Sequence, residues 1–155
     1  MKYYKISAGS KISNYIAVPN ISVEESKSIN GINKRIESPE GRVFLNFYEN
    51  PLPIISNKLK LIVEAYSQDI IGTPLALTNT DLRISNLYWI LSLNQVDCKK
   101  GSNKIAIDYE NIKGNKIFAV KKGLRTHVIV DYDIVELLLR NEIFDVDFEE
   151  IIIGE

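Results

Sequence analysis

Residues 127–140, HVIVDYDIVELLLR, decide the fold class of this chain. The β-branched run Val128–Val130 predicts a buried strand. Asp131 or Asp133 can cap a helix directly after it. The helix then has an apolar stripe made of Ile134, Leu137 and Leu138. The stretch therefore predicts a strand that runs directly into a helix over about 132–140.

The same pattern occurs 75 residues earlier in PIISNKLKLIVEAY, residues 53–66. Ser56 is a good N-cap, and the helix predicted over about 56–66 has apolar residues at helical spacing. Upstream, Val43-Phe44 matches Ile117-Phe118 at an offset of 74. Either an ancient duplication of a β-β-α unit or two ordinary strand-to-helix turns can produce this pattern.

The rest of the chain has short runs of β-branched and aromatic residues between turn formers, which predict strands. These strands are expected at 3–6, 15–18, 43–47, 75–78, 88–93, 104–109, 116–121, 126–130 and within 146–153. Segment 19–42 is poor in large side chains and predicts a long loop. We therefore expect one α+β domain over 1–155, with a mixed, mainly antiparallel sheet and two principal helices. The predicted core comprises Phe44, Ile55, Leu59, Ile62, Val63, Trp89, Leu91, Ile107, Phe118, Val128, Val130, Ile134, Leu137, Leu138 and Phe148.

The composition favours a cytoplasmic protein. The chain has 155 residues and a net charge of -1, so no global field draws it to nucleic acid or membrane. Its one cysteine rules out an intramolecular disulfide and fits a reducing compartment. The first twenty residues lack the apolar run of a signal peptide, and no segment is apolar enough to span a membrane.

No motif in the sequence indicates catalysis. His127 is the only histidine, and its place in a strand is typical of a half-exposed structural residue. Cys98 is expected to be a small buried thiol, although a Cys–His pair stays open. Glycine-rich phosphate loops and zinc-protease or serine-hydrolase motifs are absent. We predict no enzyme activity, no cofactor, no metal and no catalytic residues.

Charge is concentrated towards the end of the chain. Residues 131–155 carry nine acidic residues and one basic residue. If Asp145–Glu150 is a strand, then Asp145, Asp147 and Glu149 share one face. They could hold Mg²⁺ or Ca²⁺, form the solvated edge of a sheet, or face a partner. Partner binding is assigned to Asp145, Asp147, Glu149 and Glu150.

The Lys-rich segment 99–125 is the one candidate for nucleic-acid binding. Its lysines are spread through predicted strands and turns. No aromatic or glycine motif of RNA-binding domains lies among them. We therefore predict that the chain binds no nucleic acid.

Several segments taken in order resemble a known family. They are PIISNKLKLIVEAY, YWILSLNQVDC, NKIFAV, HVIVDYDIVELLLR and FDVDFEEI. Together they resemble, over 43–153, a bacterial family of immunity proteins from polymorphic toxin systems, formerly classed as a domain of unknown function. Family members commonly have a glycine before the closing phenylalanine-acid segment, whereas this chain reads Asn141-Glu142-Ile143-Phe144.

The resemblance implies a function by contact. It predicts a cytoplasmic protein that neutralises a cognate toxin by binding it, and the family supplies no catalytic residues. A non-catalytic regulatory or adaptor module is the alternative, and a small hydrolase using His127 or the carboxylates is third. The oligomeric state and the identity of the toxin stay open.

Overall fold

A computed structural model describes residues 1–9, 31–35, 45–49, 52–68, 70–79, 83–101 and 103–154. Within these residues the chain forms twelve strands and three helices. The strands are β1 (Tyr3–Ala8), β2 (Ile32–Arg35), β3 (Phe47–Tyr48), β4 (Ile54–Ser56), β5 (Ile71–Asn79), β6 (Ile84–Ser92), β7 (Gln95–Val96), β8 (Ala106–Asp108), β9 (Ile117–Lys122), β10 (Arg125–Asp131), β11 (Val146–Glu150) and β12 (Ile152–Gly154). The helices are α1 (Asn57–Glu64), α2 (Tyr109–Ile112) and α3 (Tyr132–Arg140).

The strands form two large sheets and one small one. Sheet A has the order β11-β1-β10-β9-β7, and sheet B has the order β2-β5-β6-β4-β3. Sheet C consists of β8 and β12. The pairs β2–β5, β7–β9 and β8–β12 are parallel, whereas the other pairs are antiparallel. The predicted α+β class with mixed, mainly antiparallel pairing is therefore confirmed.

Both predicted long helices are present, and each begins at a side-chain cap. Ser56 Oγ accepts a hydrogen bond from the Leu59 N–H at 3.1 Å. Asp131 Oδ1 accepts one from the Ile134 N–H at 3.0 Å, so Asp131 rather than Asp133 is the N-cap. Each cap satisfies a backbone donor that the first helical turn leaves unpaired.

The 75-residue sequence pattern corresponds to a repeated local structure. An antiparallel strand pair precedes each helix, β3–β4 before α1 and β9–β10 before α3. In both units the N–H of the capping residue donates to a carbonyl just before the first strand. Ser56 donates to Asn46 at 2.8 Å, and Asp131 donates to Lys116 at 3.0 Å. The helices α1 and α3 then pack against each other.

The main core lies where these two units meet. It contains buried residues of both large sheets and both long helices, including Ile6, Phe47, Ile55, Leu59, Val63, Leu91, Val128, Val130, Ile134 and Leu138. A second cluster joins sheet A to sheet C and α2, with Tyr3, Ile107, Ile112, Phe118, Ile129 and Ile151. A third joins sheet B to the residues before β3 through Leu45, Ile54, Leu75, Leu77, Tyr88 and Ile90.

Most of the predicted core is buried. Ten of the predicted residues are buried, namely Ile55, Leu59, Val63, Leu91, Ile107, Phe118, Val128, Val130, Ile134 and Leu138. Four are only partly buried, namely Ile62, Trp89, Leu137 and Phe148. The indole N–H of the partly buried Trp89 donates to Asn57 Oδ1 at 3.0 Å. Phe44 lies outside the described residues, as does the predicted strand 15–18.

Three predicted elements need correction. Segment 19–42 is not loop throughout, because β2 at Ile32–Arg35 pairs with β5. The predicted strand 104–109 is shorter, and Tyr109 instead begins the short helix α2. The closing segment contains two strands, because Ile151 separates β11 in sheet A from β12 in sheet C. The strands β2 and β12 depend on pairing with β5 and β8, which local sequence does not reveal.

The described part of the chain has no helix that is both long enough and apolar enough to cross a membrane.

Candidate partner-binding surface

The acidic segment at the end of the chain forms an edge strand. β11 is the outermost strand of sheet A and pairs with β1 alone in that sheet. Val146 is buried, and Phe148 packs against the main core. Asp147 and Glu149 are exposed on the opposite face, as the alternating pattern predicts. Charge on an outermost strand also opposes edge-to-edge pairing with another sheet.

Lysines of the N-terminal segment lie beside the two glutamates of β11. Lys5 Nζ is 2.8 Å from Glu149 Oε2, and these residues are register partners. The hydrogen bond and the charge of Lys5 hold the pKa of Glu149 below its ordinary value. Lys2 Nζ is 3.6 Å from Glu150 Oε2, and both side chains are at least half exposed. The acidic charge of β11 is thus partly offset from within the chain.

Asp145 has a structural role that sequence reasoning did not reveal. Its carboxylate accepts hydrogen bonds from the Asn46 backbone N–H at 2.8 Å and from Asn46 Nδ2 at 3.0 Å. Asn46 Oδ1 in turn accepts from the Ser56 hydroxyl at 2.7 Å. The carboxylate is therefore connected, through Asn46, to the residue that caps α1.

The four predicted partner-binding residues differ in their surroundings. Asp147 and Glu149 project from one face of sheet A. Glu150 is the register partner of Tyr4 on the other face, yet it also lines a small cavity together with Glu149. Asp145 precedes the strand and is only partly exposed.

An open cavity of about 450 Å³ lies on the face of sheet A that carries Glu150. It is lined by Met1, Lys2, Tyr4, Asp131, Tyr132 and Asp133. The rings of Tyr4 and Tyr132 are 6.5 Å apart and tilted by 44°. Sequence analysis missed this arrangement because the two tyrosines are far apart in the chain and become neighbours only through β1–β10 pairing.

Tyr66, near the end of α1, binds both aspartates of this cavity. Its hydroxyl lies 2.6 Å from Asp133 Oδ2 and 3.3 Å from Asp131 Oδ2. The hydrogen bond to Asp133 raises the pKa of Tyr66 above its ordinary value. Burial raises the pKa of Asp131. The Lys116 ammonium lies 4.0 Å from the centre of the Tyr66 ring.

His127 is paired with a carboxylate. Its Nδ1 lies 3.0 Å from Glu49 Oε1, and the two side chains are 13% and 22% exposed. The pair links β10 of sheet A to the residue after β3 of sheet B. His127 also lines a cavity of about 190 Å³ with Lys5, Asn103, Lys104, Ile105, Lys122, Glu149, Glu150 and Ile151. Among the described residues of this lining, none is a serine, threonine or cysteine.

Cys98 lies in a different place. It is partly exposed rather than buried as predicted, and its thiol lies 3.7 Å from the Lys121 carbonyl. It lines an open, basic cavity of about 540 Å³ with Asp97, Lys99, Lys100, Gly101, Lys121, Lys122 and Gly123. Within that lining, Lys99 is paired with Asp108 at 2.7 Å. Cys98 and His127 thus have separate partners.

Among the described residues, no group of three or more His, Cys, Asp and Glu side chains is arranged to hold a metal ion. Three acidic residues of this segment have different partners, namely Asn46 for Asp145, Lys5 for Glu149 and Lys2 for Glu150.

Comparison with protein-family models and with curated proteins found no match to this chain.

Proposed function

We propose that this chain is a cytoplasmic immunity protein that neutralises a cognate bacterial toxin by binding it directly. The sequence resemblance over 43–153 suggests this function. The exposed acidic side chains of β11 on an outermost strand are the observation that supports it. Carboxylates on such a strand can guide a basic protein to its contact site and accelerate association.

Three of the four acidic residues are suited to a test of this role. Asp147, Glu149 and Glu150 are exposed, whereas Asp145 is bound to Asn46. A variant that also replaces Asp145 would lose the contact with Asn46, so a change in its binding could come from a change in fold. The informative variant is therefore the triple change Asp147→Asn, Glu149→Gln and Glu150→Gln.

The first experiment is growth rescue. The proposal predicts that the gene directly upstream encodes a toxin, so the two genes are co-expressed, and the wild-type chain should restore growth. Purified proteins should then associate. The triple variant should associate more slowly at low salt, and the difference should shrink as salt rises. The variant Glu110→Gln, on α2, is the matched control and should associate like the wild type.

Two results would contradict the proposal. Absence of rescue by the wild-type chain would reject the immunity function and favour the regulatory or adaptor module. Equal association rates for the wild type and the triple variant at low salt would exclude β11 as the surface that meets the toxin.

A further inference from the structure

The cavity between β1 and the start of α3 combines aromatic and acidic groups in one place. Tyr4 and Tyr132 present their rings, and Tyr132 is 49% exposed. Asp131, only 3% exposed, and Asp133 supply carboxylates beside these rings. Aromatic faces and carboxylates both attract cations, and the attraction is strongest where water is partly excluded.

The carboxylate positions are fixed by hydrogen bonds. Asp131 is held by the Ile134 N–H, and the Tyr66 hydroxyl donates to Asp133 Oδ2. The other oxygen, Asp133 Oδ1, takes no part in this hydrogen bond. A cationic group entering the cavity would meet an acceptor that is already oriented, so little side-chain entropy would be lost on binding.

Charge around the cavity is close to balanced, so the preference for a cation depends on the tyrosine rings and on Asp133. The acidic groups are Asp131, Asp133 and the nearby Glu150, and the basic groups are the amino terminus of Met1, Lys2 and the nearby Lys116. Lys2 lies 3.6 Å from Glu150, so these two charges offset each other.

We infer that this cavity binds a cationic side chain of the partner, and that arginine is the preferred residue. The guanidinium group is planar, stacks on tyrosine rings and donates to carboxylates in a fixed geometry. Arginine and tyrosine are also the residues that most often dominate binding energy at protein interfaces. The inference deepens the proposed function and rests on it, because it names the chemistry of the toxin residue that the chain holds.

Glu150 connects the cavity to the acidic strand. It is the register partner of Tyr4 and the ion-pair partner of Lys2, both of which line the cavity. A basic partner that contacts Glu150 on this face of sheet A would therefore lie beside the cavity. One partner could contact Glu150 and the cavity at the same time.

The direct test uses N-acetyl-arginine amide as the probe and nuclear magnetic resonance of the labelled full chain as the readout. Signals of Tyr4, Tyr132 and Asp133 should shift saturably. The matched probe N-acetyl-citrulline amide has the same shape without the charge and should leave them unchanged. The variants Tyr132→Leu and Asp133→Asn should each weaken binding of the arginine probe about fivefold or more.

The controls separate local from general effects. Phe144→Leu removes an aromatic side chain that is 73% exposed and lies outside the cavity lining. It should leave binding of the arginine probe unchanged. Asp133→Asn keeps an acceptor for the Tyr66 hydroxyl, so its fold should persist, and thermal unfolding of each variant checks this. Absence of saturable shifts, or shifts unaffected by both cavity variants, would overturn the inference. Inorganic phosphate shifting the same signals would also overturn it, because the site would then select anions.

Failure of the proposed immunity function and failure of the cavity inference would give different experimental results. If wild-type chain fails to rescue growth while the arginine probe binds, the proposed function fails and the cation site stands. If wild-type chain rescues growth and both cavity variants rescue equally well, with unchanged dissociation rates, the cavity does not contact the toxin and the inference is rejected.

Discussion

At the scale of single residues, the acidic side chains near the C-terminus differ in role although they look alike in sequence. Asp145 holds Asn46 through two hydrogen bonds, Glu149 is paired with Lys5, and Glu150 is paired with Lys2. Asp131 is a buried helix cap. Composition alone suggested one acidic surface, whereas the distances assign these carboxylates to separate partners.

Asp145→Ala should lower the free energy of unfolding by roughly 2–3 kcal/mol, because two partly buried donors of Asn46 lose a charged acceptor. Urea unfolding measures the change. The control Asp97→Ala removes an exposed aspartate and should change stability by less than about 0.5 kcal/mol. Equal stability of the two variants would show that the contact between Asp145 and Asn46 is dispensable.

Glu149→Gln should show how the ion pair with Lys5 depends on pH. The pKa of Glu149 is lowered in the folded chain, so its contribution is present above the unfolded-state pKa and disappears as pH falls through the folded-state pKa. At pH 7 the variant should be less stable by under about 1 kcal/mol, because Glu149 is 57% exposed. Urea unfolding across pH 7 to 2 should show the difference vanish in acid, and a constant difference would contradict the assignment.

At the scale of elements, helix α3 ends in a common arrangement that contains an unusual residue, Glu142. The Ile143 N–H donates to the Leu138 carbonyl and the Glu142 N–H to the Leu139 carbonyl, which is the Schellman arrangement. Glu142 occupies the left-handed position, with φ 60. Glycine is the usual residue at this position, because it adopts positive φ without steric cost. Glu142 therefore carries backbone strain at the end of α3.

Glu142→Gly should stabilise the chain by roughly 0.5–1 kcal/mol, because glycine adopts positive φ without steric cost. Thermal or urea unfolding measures the gain. Glu142→Gln is the matched control, since it removes the charge and keeps the side chain in the strained conformation. A gain in Glu142→Gln as large as that in Glu142→Gly would attribute the effect to charge rather than to the backbone.

At the scale of the whole molecule, the two strand-to-helix units share one core. Phe47 and Ile55 of sheet B lie in the same buried cluster as Ile6 and Val128 of sheet A. The link between His127 and Glu49 adds a polar contact between the same sheets. Because neither unit covers its apolar face without the other, we expect them to unfold together.

Leu59→Ala should therefore destabilise the whole chain by roughly 2–5 kcal/mol, because Leu59 is 1% exposed within the shared cluster. Leu61→Ala on the same helix should cost less than about 0.5 kcal/mol, since Leu61 is 59% exposed. Trp89 fluorescence and far-ultraviolet circular dichroism should report coincident transitions in both variants. Separate transitions would show that the two units unfold independently.

The sequence by itself determined the α+β class, the two long helices with the Ser56 cap of the first, and most of the main core. These features depend on local periodicity and on short-range hydrogen bonds at helix starts. Only the tertiary structure decided that β2 and β12 are strands, that Asp145 binds Asn46, and that Tyr4 and Tyr132 share a cavity with Asp133. The reason is physical: these features depend on pairing between residues far apart in the chain, and neither propensity nor spacing encodes which distant strand lies alongside.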